Sequence, residues 1–282
     1  MNKPGNVLVI GATGGVGYAT ALRLKQAGFH VIATCRGETQ KQKLVADGVC
    51  DIAIQLELAD NASIEAAFAE LEQLGIDRLS GAINCAANAH VEALETISHA
   101  DVESLFQINV FGSLLAARLA IPLLRKTRGR LIMVGSVGGN LSLPLLGAYS
   151  ASKFAIEAIC DALRRELEPW SIRVCMVNPG AIKTSMARDQ IRDLGEIIAT
   201  PQQGIARDYI PFYKRHKKMM ELGYEHAVTA ERVASDIVAA LTDANPKARY
   251  FPGVEPAVVS RLSKYLPDRL KDSLLRQIFP EQ

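Results

Sequence analysis

Short apolar runs rich in β-branched residues alternate with longer segments of helical period as far as Gly180. Each run has the length and composition of a buried strand. The strands that we predict cover residues 7–10, 31–35, 52–56, 82–84, 131–134 and 174–177. Strands that alternate with helices are typical of a parallel sheet covered by helices on both faces. The pattern therefore predicts an α/β fold with a doubly wound parallel sheet of about seven strands, in a single domain over residues 1–282.

The segments between the predicted strands carry apolar residues on one helical face. In one of them Ile64 and Phe68 stand one helical turn apart. Ser98 followed by Asp101 resembles a capping box and predicts the start of a long apolar helix that runs towards Pro122. The further helices that we predict cover residues 15–26, 63–74, 148–168 and 231–241.

The alternation of strands and helices ends after Gly180. The next residues, from about 181 to 225, mix apolar, charged and glycine residues without a core pattern of their own. A stretch of that length in a compact domain is typical of an active-site lid, so we predict a substrate loop or lid over about residues 185–225. The basic run at residues 214–218 lies within it, and we interpret this run as the solvated face of a helix.

Charge and cysteine content narrow the classes of function. A net charge of +2 over 282 residues is too small to indicate electrostatic binding to nucleic acid or to a membrane surface. No apolar run approaches the length of a transmembrane helix and no signal-peptide core is present, so we expect a cytoplasmic protein. The five cysteines lack C-x-x-C spacing, so we interpret them as buried free thiols and expect no metal site.

The first predicted strand is followed directly by a glycine-rich turn and then by the first helix. Because glycine has no Cβ, the backbone N–H groups of such a turn and of the helix N-terminus can approach a diphosphate. A strand, a glycine turn and a helix in this order indicate a dinucleotide site of the Rossmann type. The residues of the turn that we expect to contact the cofactor are Gly11, Thr13, Gly14, Gly15, Val16 and Gly17.

The end of the second strand indicates which dinucleotide binds. An NAD site usually has an acid there for the ribose 2′-hydroxyl, whereas an arginine accommodates the 2′-phosphate of NADP. The sequence has Arg36 at this position and no acid at the strand end. We therefore expect NADP (NADPH) to be favoured over NAD.

Tyr149 and Lys153 stand four residues apart in the predicted helix 148–168 and therefore share one face. A free phenol has a pKa near ~10 and is a poor acid at neutral pH. A fixed cation beside it favours the phenolate and brings proton transfer within range. The pair is a candidate acid–base centre.

These motifs occur in the order found in a known family. The chain resembles the short-chain dehydrogenase/reductase family, in its compact single-domain branch, over nearly its whole length. Asn84-Cys85-Ala86-Ala87 stands where that family has Asn-Asn-Ala-Gly, and Ile10 stands where threonine is usual. The other residues that carry the resemblance are Gly11, Gly15, Gly17, Asn109, Ser136, Tyr149, Lys153, Asn178, Pro179, Gly180 and Thr184.

The resemblance implies four catalytic residues. Ser136 would donate a hydrogen bond to the reacting oxygen, and Tyr149 would act as general acid in reduction or base in oxidation. Lys153 would lower the Tyr149 pKa and hold the nicotinamide ribose, while Asn109 would order a water that relays protons to Lys153. Further cofactor contacts are implied for Glu57, where the family usually has aspartate, and for Leu58, Asn84, Ala86, Tyr149, Lys153, Pro179, Gly180, Ile182 and Thr184.

We therefore predict an NADP-dependent oxidoreductase that interconverts an alcohol and a ketone or aldehyde, assembled, by resemblance, as a homodimer or homotetramer. An apolar substrate, such as a steroid, retinoid or ketone, is expected from the apolar residues of the pocket segments. These are Leu141, Leu143, Leu145, Leu146, Ile182, Met186, Phe212 and Tyr213. Two alternatives stay open: a sugar-nucleotide epimerase or dehydratase, whose glycine spacing also fits this turn, and a non-catalytic NADP-sensing protein.

Overall fold

The computed structural model describes residues 5–278 of the chain. Its centre is a seven-stranded sheet in which every neighbouring pair of strands is parallel. The strands, in chain order, are β1 (Asn6–Ile10), β2 (His30–Cys35), β3 (Ile52–Gln55), β4 (Gly81–Asn84), β5 (Arg130–Val134), β6 (Arg173–Val177), β7 (Ile182–Lys183), β8 (Val228–Thr229) and β9 (Arg249–Tyr250). The order across the sheet is β3-β2-β1-β4-β5-β6-β9, and β7 pairs with β8 separately.

Helices cover both faces of the sheet. They are α1 (Gly15–Gln26), α2 (Glu38–Ala46), α3 (Asn61–Gln73), α4 (His99–Phe106), α5 (Ser113–Arg125), α6 (Gly147–Glu166), α7 (Ser185–Ala199), α8 (Ile205–Asp208), α9 (Ile210–His226), α10 (Ala230–Thr242), α11 (Val254–Tyr265) and α12 (Asp268–Ile278). One apolar core lies on each side of the sheet, and Leu8 and Val9 of β1 project into opposite cores. The predicted Rossmann-type, doubly wound fold is confirmed.

The position of the cleft follows from the strand order. The chain crosses from β1 to β2 and β3 on one side, then returns to β4 on the other side of β1. In open α/β sheets ligands bind at the carboxyl ends of the strands where the order reverses in this way. The last residues of β1 and β4, Ile10 and Asn84, are direct neighbours there, so the glycine turn and the loop after β4 face each other.

The long helix predicted after Ser98 is present but continues past Pro122 to Arg125. Ser98 caps it by accepting a hydrogen bond from the Asp101 N–H at 3.0 Å. Helix α4, a π-helical turn at Gln107–Gly112 and helix α5 form one continuous stretch, His99–Arg125. By length and composition this stretch could cross a membrane, which corrects the expectation that no apolar run is long enough. It packs on β4, β5 and α3, and core helices of the same length and composition are common.

The segment predicted as a loop or lid is mainly helical. Helices α7 and α9 pack against each other within it, so the expectation that this stretch lacks a core pattern is wrong. A small apolar cluster holds these helices, and its buried members are Ala93, Leu145, Leu194 and Tyr213. In the basic run, Lys214 and Lys218 are exposed as predicted, whereas His216 is 1% exposed.

Candidate active site

The glycine turn has the shape that a dinucleotide requires. Gly11 has a φ of +81°, and a Cβ there would lie 2.7 Å from the Ala86 Cβ. A Cβ on Gly17 would lie 2.1 Å from the Gly11 carbonyl oxygen. Only glycine fits at either position, and α1 begins at Gly15 with its N-terminus at the cleft. The turn and this helix N-terminus therefore fit a diphosphate.

One end of the cleft lies between the ends of β1, β2 and β4. Its lining includes Gly11, Thr13, Arg36, Glu57, Leu58 and Ala86 among the predicted cofactor residues. The Arg36 side chain is 71% exposed, and its Nε lies 4.0 Å from Glu57 Oε2. Glu57 Oε1 also accepts a hydrogen bond from the Ala59 N–H at 3.3 Å. Glu57 is the one ion-pair partner of the guanidinium among residues 5–278, and the exposed guanidinium is available to a 2′-phosphate.

Asn84 faces the interior and holds the loop after β4. Its Nδ2 donates to Ser113 Oγ at 2.8 Å, and its Oδ1 accepts from the Ala86 N–H at 3.0 Å. The side chain is 5% exposed. Its amide therefore shapes the wall of the cleft at Ala86, and the contact of Asn84 with the cofactor stays a prediction.

The other end of the cleft brings Ser136, Tyr149 and Lys153 together. Helix α6 carries Tyr149 and Lys153 on one face, with Lys153 Nζ 5.8 Å from the centre of the Tyr149 ring. Ser136 ends the extended segment after β5, and its Oγ accepts a hydrogen bond from the Gly138 N–H at 3.0 Å. This cleft has a volume of about 470 Å³. Other predicted cofactor residues also line this cleft, namely Gly14, Gly15, Val16, Gly17, Pro179, Gly180, Ile182 and Thr184.

Burial determines the ionisation of the two key groups. It raises the pKa of Tyr149 above its usual value, and a hydrogen bond with Ser136 acts in the opposite direction. Burial lowers the pKa of Lys153 to about 8. The predicted depression of the Tyr149 pKa by Lys153 is therefore opposed by burial, and Tyr149 is a neutral proton donor at pH 7.

The Lys153 side chain lines the cleft, and its ammonium has N–H donors available to a ligand. Its side chain is 4% exposed, and its Nζ donates to the Val134 carbonyl oxygen at 3.3 Å. This is the one hydrogen bond that its ammonium makes within the described part of the chain. An ammonium has three N–H donors, so two of them are available to ribose hydroxyls. The residues of the cleft therefore fit a nicotinamide dinucleotide.

Asn109 lies in the π-helical turn, a distortion that occurs frequently at functional sites. Its Oδ1 accepts from the Asn88 N–H at 2.8 Å, and its Nδ2 donates to the Asn88 carbonyl at 2.8 Å and to Ser152 Oγ at 3.0 Å. Ser152 in turn donates to the Tyr149 carbonyl oxygen at 2.7 Å. Asn109 thereby joins the loop after β4 to the helix that carries Tyr149. The sequence alone did not indicate Asn88 or Ser152.

The side of the cleft formed by α7 is more polar than predicted. Ile182 and Met186 line it as expected, but Asp189, Gln190 and Asp193 do so as well. Arg192 donates to both carboxylates, at 2.9 Å each. Other predicted pocket residues, Leu145, Phe212 and Tyr213, belong to the small apolar cluster that holds α7 and α9.

One group of possible metal ligands comprises His90, Glu92 and Asp101. Each already has a partner: His90 Nε2 lies 2.8 Å from Glu92 Oε2, and Asp101 accepts a hydrogen bond from Ser98. The group therefore carries no argument for a metal ion.

Comparison with known proteins extends these observations over almost the whole chain. The family model described as short chain dehydrogenase matches residues 5–195. An uncharacterized oxidoreductase, YbbO of Escherichia coli (strain K12), is 32% identical over 96% of this chain and 94% of its own length. A 3-ketodihydrosphingosine reductase of Bacteroides thetaiotaomicron is 30% identical over 97% of each chain.

A solved structure gives the same result. The short-chain dehydrogenase from Streptomyces avermitilis superposes with a TM-score of 0.77 at 26% identity, over 97% of this chain and 95% of its own. The parallel seven-stranded sheet agrees with this match. The chain belongs to the short-chain dehydrogenase/reductase family of oxidoreductases.

Proposed function

We propose that this oxidoreductase is NADP-dependent and interconverts an alcohol with the ketone or aldehyde of an apolar small molecule. The observation that carries the proposal is the convergence of Ser136, Tyr149 and Lys153 on one cleft beside the glycine turn. When bound, NADPH would supply the hydride. The protein must then stabilise and protonate the oxygen on which negative charge develops.

Ser136 and Tyr149 divide that task. Ser136 Oγ accepts the Gly138 N–H, and its own hydroxyl hydrogen, which can be donated to Tyr149, would turn to the substrate oxygen when substrate binds. Tyr149, neutral because burial raises its pKa, donates its phenolic proton to the same oxygen. In the opposite direction the phenolate accepts the proton of the alcohol.

Lys153 supplies charge and position. Below pH 8 its ammonium is protonated, since burial lowers its pKa only to about 8. It would hold the ribose through its two available N–H donors and stabilise the phenolate that forms after proton transfer. Asn109 fixes the loop at Asn88 and the helix at Ser152, so it keeps the two walls of the cleft at a constant separation.

The lining supports an apolar substrate with a polar end. Ile182 and Met186 offer apolar contact, whereas Asp189 and Asp193 offer acceptors for a hydroxyl or amine. The Bacteroides relative is named for 3-ketodihydrosphingosine, a ketone on a long apolar chain. Ketones of this kind, steroids and retinoids are the first substrates to test.

We further propose that the protein is a homo-oligomer. Phe111 of the π-helical turn and Phe154 of α6 are 56% and 45% exposed, on elements that contact each other. Exposed aromatic side chains on adjoining elements are typical of a protein interface. Sedimentation of the wild type at micromolar concentration is expected to show a dimer or tetramer that Phe111→Asp dissociates. A monomeric wild type would contradict the proposal.

The test of the activity is NADPH oxidation in the presence of a panel of ketones, aldehydes, steroids and retinoids. We expect turnover of at least one apolar carbonyl, with the alcohol identified by mass spectrometry. Tyr149→Phe serves as the inactive control. Tight NADPH binding without turnover of any compound would contradict the enzyme and favour a sensor.

A further inference from the structure

Behind the catalytic residues lies a polar network centred on Glu157. This residue follows Lys153 by one helical turn on α6, and it is 9% exposed. The catalytic roles proposed above do not use it. A carboxylate this deeply buried destabilises a protein unless it is paired and hydrogen bonded, so its contacts call for an explanation.

Both carboxylate oxygens of Glu157 are engaged. Oε2 accepts from Arg249 of β9, at 2.9 Å from Nε and 2.6 Å from Nη2. Oε1 accepts from the side-chain amide of Asn178 and, at 3.5 Å, from that of Asn140. The Arg249 Nη2 also donates to Asp161 at 3.0 Å, so one cation bridges two carboxylates, and Asp161 pairs with Arg164 as well, at 3.2 Å.

These contacts join three segments that form the catalytic cleft. Asn140 ends the turn that begins at Ser136, and Asn178 directly precedes Pro179 and Gly180, which line the cleft. The Pro179 carbonyl oxygen accepts from the Val137 N–H at 3.1 Å, which joins two of these segments directly. Glu157 therefore holds together the turn at residues 136–140 (the serine turn), helix α6 with Tyr149, and the segment 178–180 after β6.

The packing around Glu157 leaves little freedom. A Cβ at Gly139 would lie 3.0 Å from the Lys153 carbonyl oxygen and 3.2 Å from Glu157 Cγ. A Cβ at Gly135 would lie 2.1 Å from Asn178 Oδ1. The main chain of the serine turn thus lies directly on the helix that carries Lys153, and a shift of the Glu157 side chain must move Asn140 or Asn178.

The network also extends beyond the part of the chain that the family model matches. Arg249 lies on the edge strand β9, and Ser260 of α11 donates to Asn140 Oδ1 at 3.0 Å. Both residues follow residue 195, where the family match ends. The carboxyl-terminal part of the chain therefore contributes to the geometry of the catalytic turn through these two contacts.

We infer that Glu157 is a positioning residue for hydride transfer, which sets the distance between Ser136, Tyr149 and the cofactor segment 178–180, with Arg249 as its counter-ion. This inference rests on the proposed function. Misplacement of reacting groups by ~1 Å can cost about 100-fold in rate. Loss of the contacts of Glu157 is therefore expected to slow the chemical step more than it weakens cofactor binding.

The experiment compares Glu157→Ala and Glu157→Gln with Asp51→Asn, measured as single-turnover rates with NADPH and its C4-deuterated form. Asp51 is the control and lies outside the cleft. It matches Glu157 as a paired and hydrogen-bonded carboxylate, because it pairs with Lys25 at 2.6 Å and accepts from the Val31 N–H at 2.7 Å. Rates are expressed per site that binds NADPH, so that unfolded protein does not count. Glu157→Gln retains an acceptor for Asn178 and is the variant expected to fold if Glu157→Ala does not.

For Glu157→Ala we expect the hydride-transfer rate to fall about tenfold to 100-fold, with a larger isotope effect and less than about threefold change in NADPH affinity. Glu157→Gln should recover part of the rate, and Asp51→Asn should lower the melting temperature alone. Equal rates in Glu157→Ala and wild type, or an equal rate loss in Asp51→Asn, would overturn the inference. If the wild type binds NADPH without turnover, the proposed function fails. The fluorescence lifetime of bound NADPH then tests whether Glu157 positions the cleft. A lifetime unchanged in both Glu157 variants would overturn the inference.

Discussion

The end of the sheet that carries the candidate catalytic residues is built differently from helices α7 and α9. Ser136, Tyr149 and Lys153 are positioned by elements that lie on the two large cores, where most β1 residues are fully buried. Helices α7 and α9, which we propose as the lid, are held mainly by a small satellite cluster with four buried apolar members. The pairing of β7 with β8 adds only two residue pairs.

This difference separates two requirements of an enzyme. Proton and hydride transfer need groups fixed to a fraction of an ångström, which large cores and complete hydrogen-bond networks provide. Substrate entry needs an element that opens at low cost, and segments with few buried contacts have the lowest local stability. We therefore expect changes at the sheet end to act on rate and changes in the lid to act on access, and four predictions test this division.

The largest effect is expected for Tyr149→Phe. It removes the phenolic oxygen and leaves the ring to pack, so NADPH affinity should hold while turnover falls by about 10²–10⁴. Initial rates and a fluorescence titration of NADPH measure the two quantities. Near-normal turnover in folded Tyr149→Phe would mean that another group donates the proton.

Lys153→Met should lower both turnover and NADPH affinity, because it removes the ribose contact together with the charge. In the wild type, affinity should weaken as the pH rises through about 8, where the buried ammonium loses its proton. The variant should lack this pH dependence. NADPH titrations between pH 6.5 and about 9.5 measure it, and parallel profiles in both proteins would remove Lys153 from cofactor binding.

Arg36→Asp should change the choice of cofactor with little effect on the chemistry. The exposed guanidinium is free to bind a 2′-phosphate, and loss of such charge-assisted hydrogen bonds should lower NADPH affinity about tenfold or more. NADH affinity should stay the same or rise. Equal affinities for the two cofactors in the wild type would show that Arg36 does not select NADP.

The smallest effect is expected in the lid, at His216. This imidazole is 1% exposed, its Nδ1 has no hydrogen-bond partner among residues 5–278, and burial lowers its pKa to about 4, from 6.5. Between pH 4 and pH 6.5, His216 is therefore more protonated in the opened lid than in the closed lid. Closure is therefore favoured above pH 6.5 and is weakened as the pH falls towards 4.

Limited proteolysis of the lid helices measures this effect. Cleavage within residues 185–226 should increase as the pH falls from 7 to 5, and His216→Gln should remove most of the increase. Identical pH dependence in the two proteins would assign the acid sensitivity to another group. A lid as resistant to protease as the sheet at both pH values would contradict the comparison on which these predictions rest.

Much of the sheet could be predicted because buried parallel strands are continuous apolar runs. All six predicted strands are present within two residues of their predicted ends, and α1 spans the predicted residues 15–26. The missed elements have no such pattern. Strand β9 has two residues, and α2 is largely polar, with Leu44 as its buried residue. Helices α11 and α12 were missed as well, since much of their apolar surface is exposed.

The sequence by itself determined the fold class and the family, and it named the candidate catalytic side chains. These depend on local features: the apolar period of strands and helices, glycines where a Cβ cannot fit, and Tyr149 and Lys153 one helical turn apart. Only the tertiary structure decided what surrounds them. It buries Lys153 and Tyr149 so that their pKa values move apart, joins Glu157 to Arg249 across 92 residues, and turns Asp189 and Asp193 towards the cleft. Burial and contacts between distant segments depend on the packing of the whole chain, which no local pattern records.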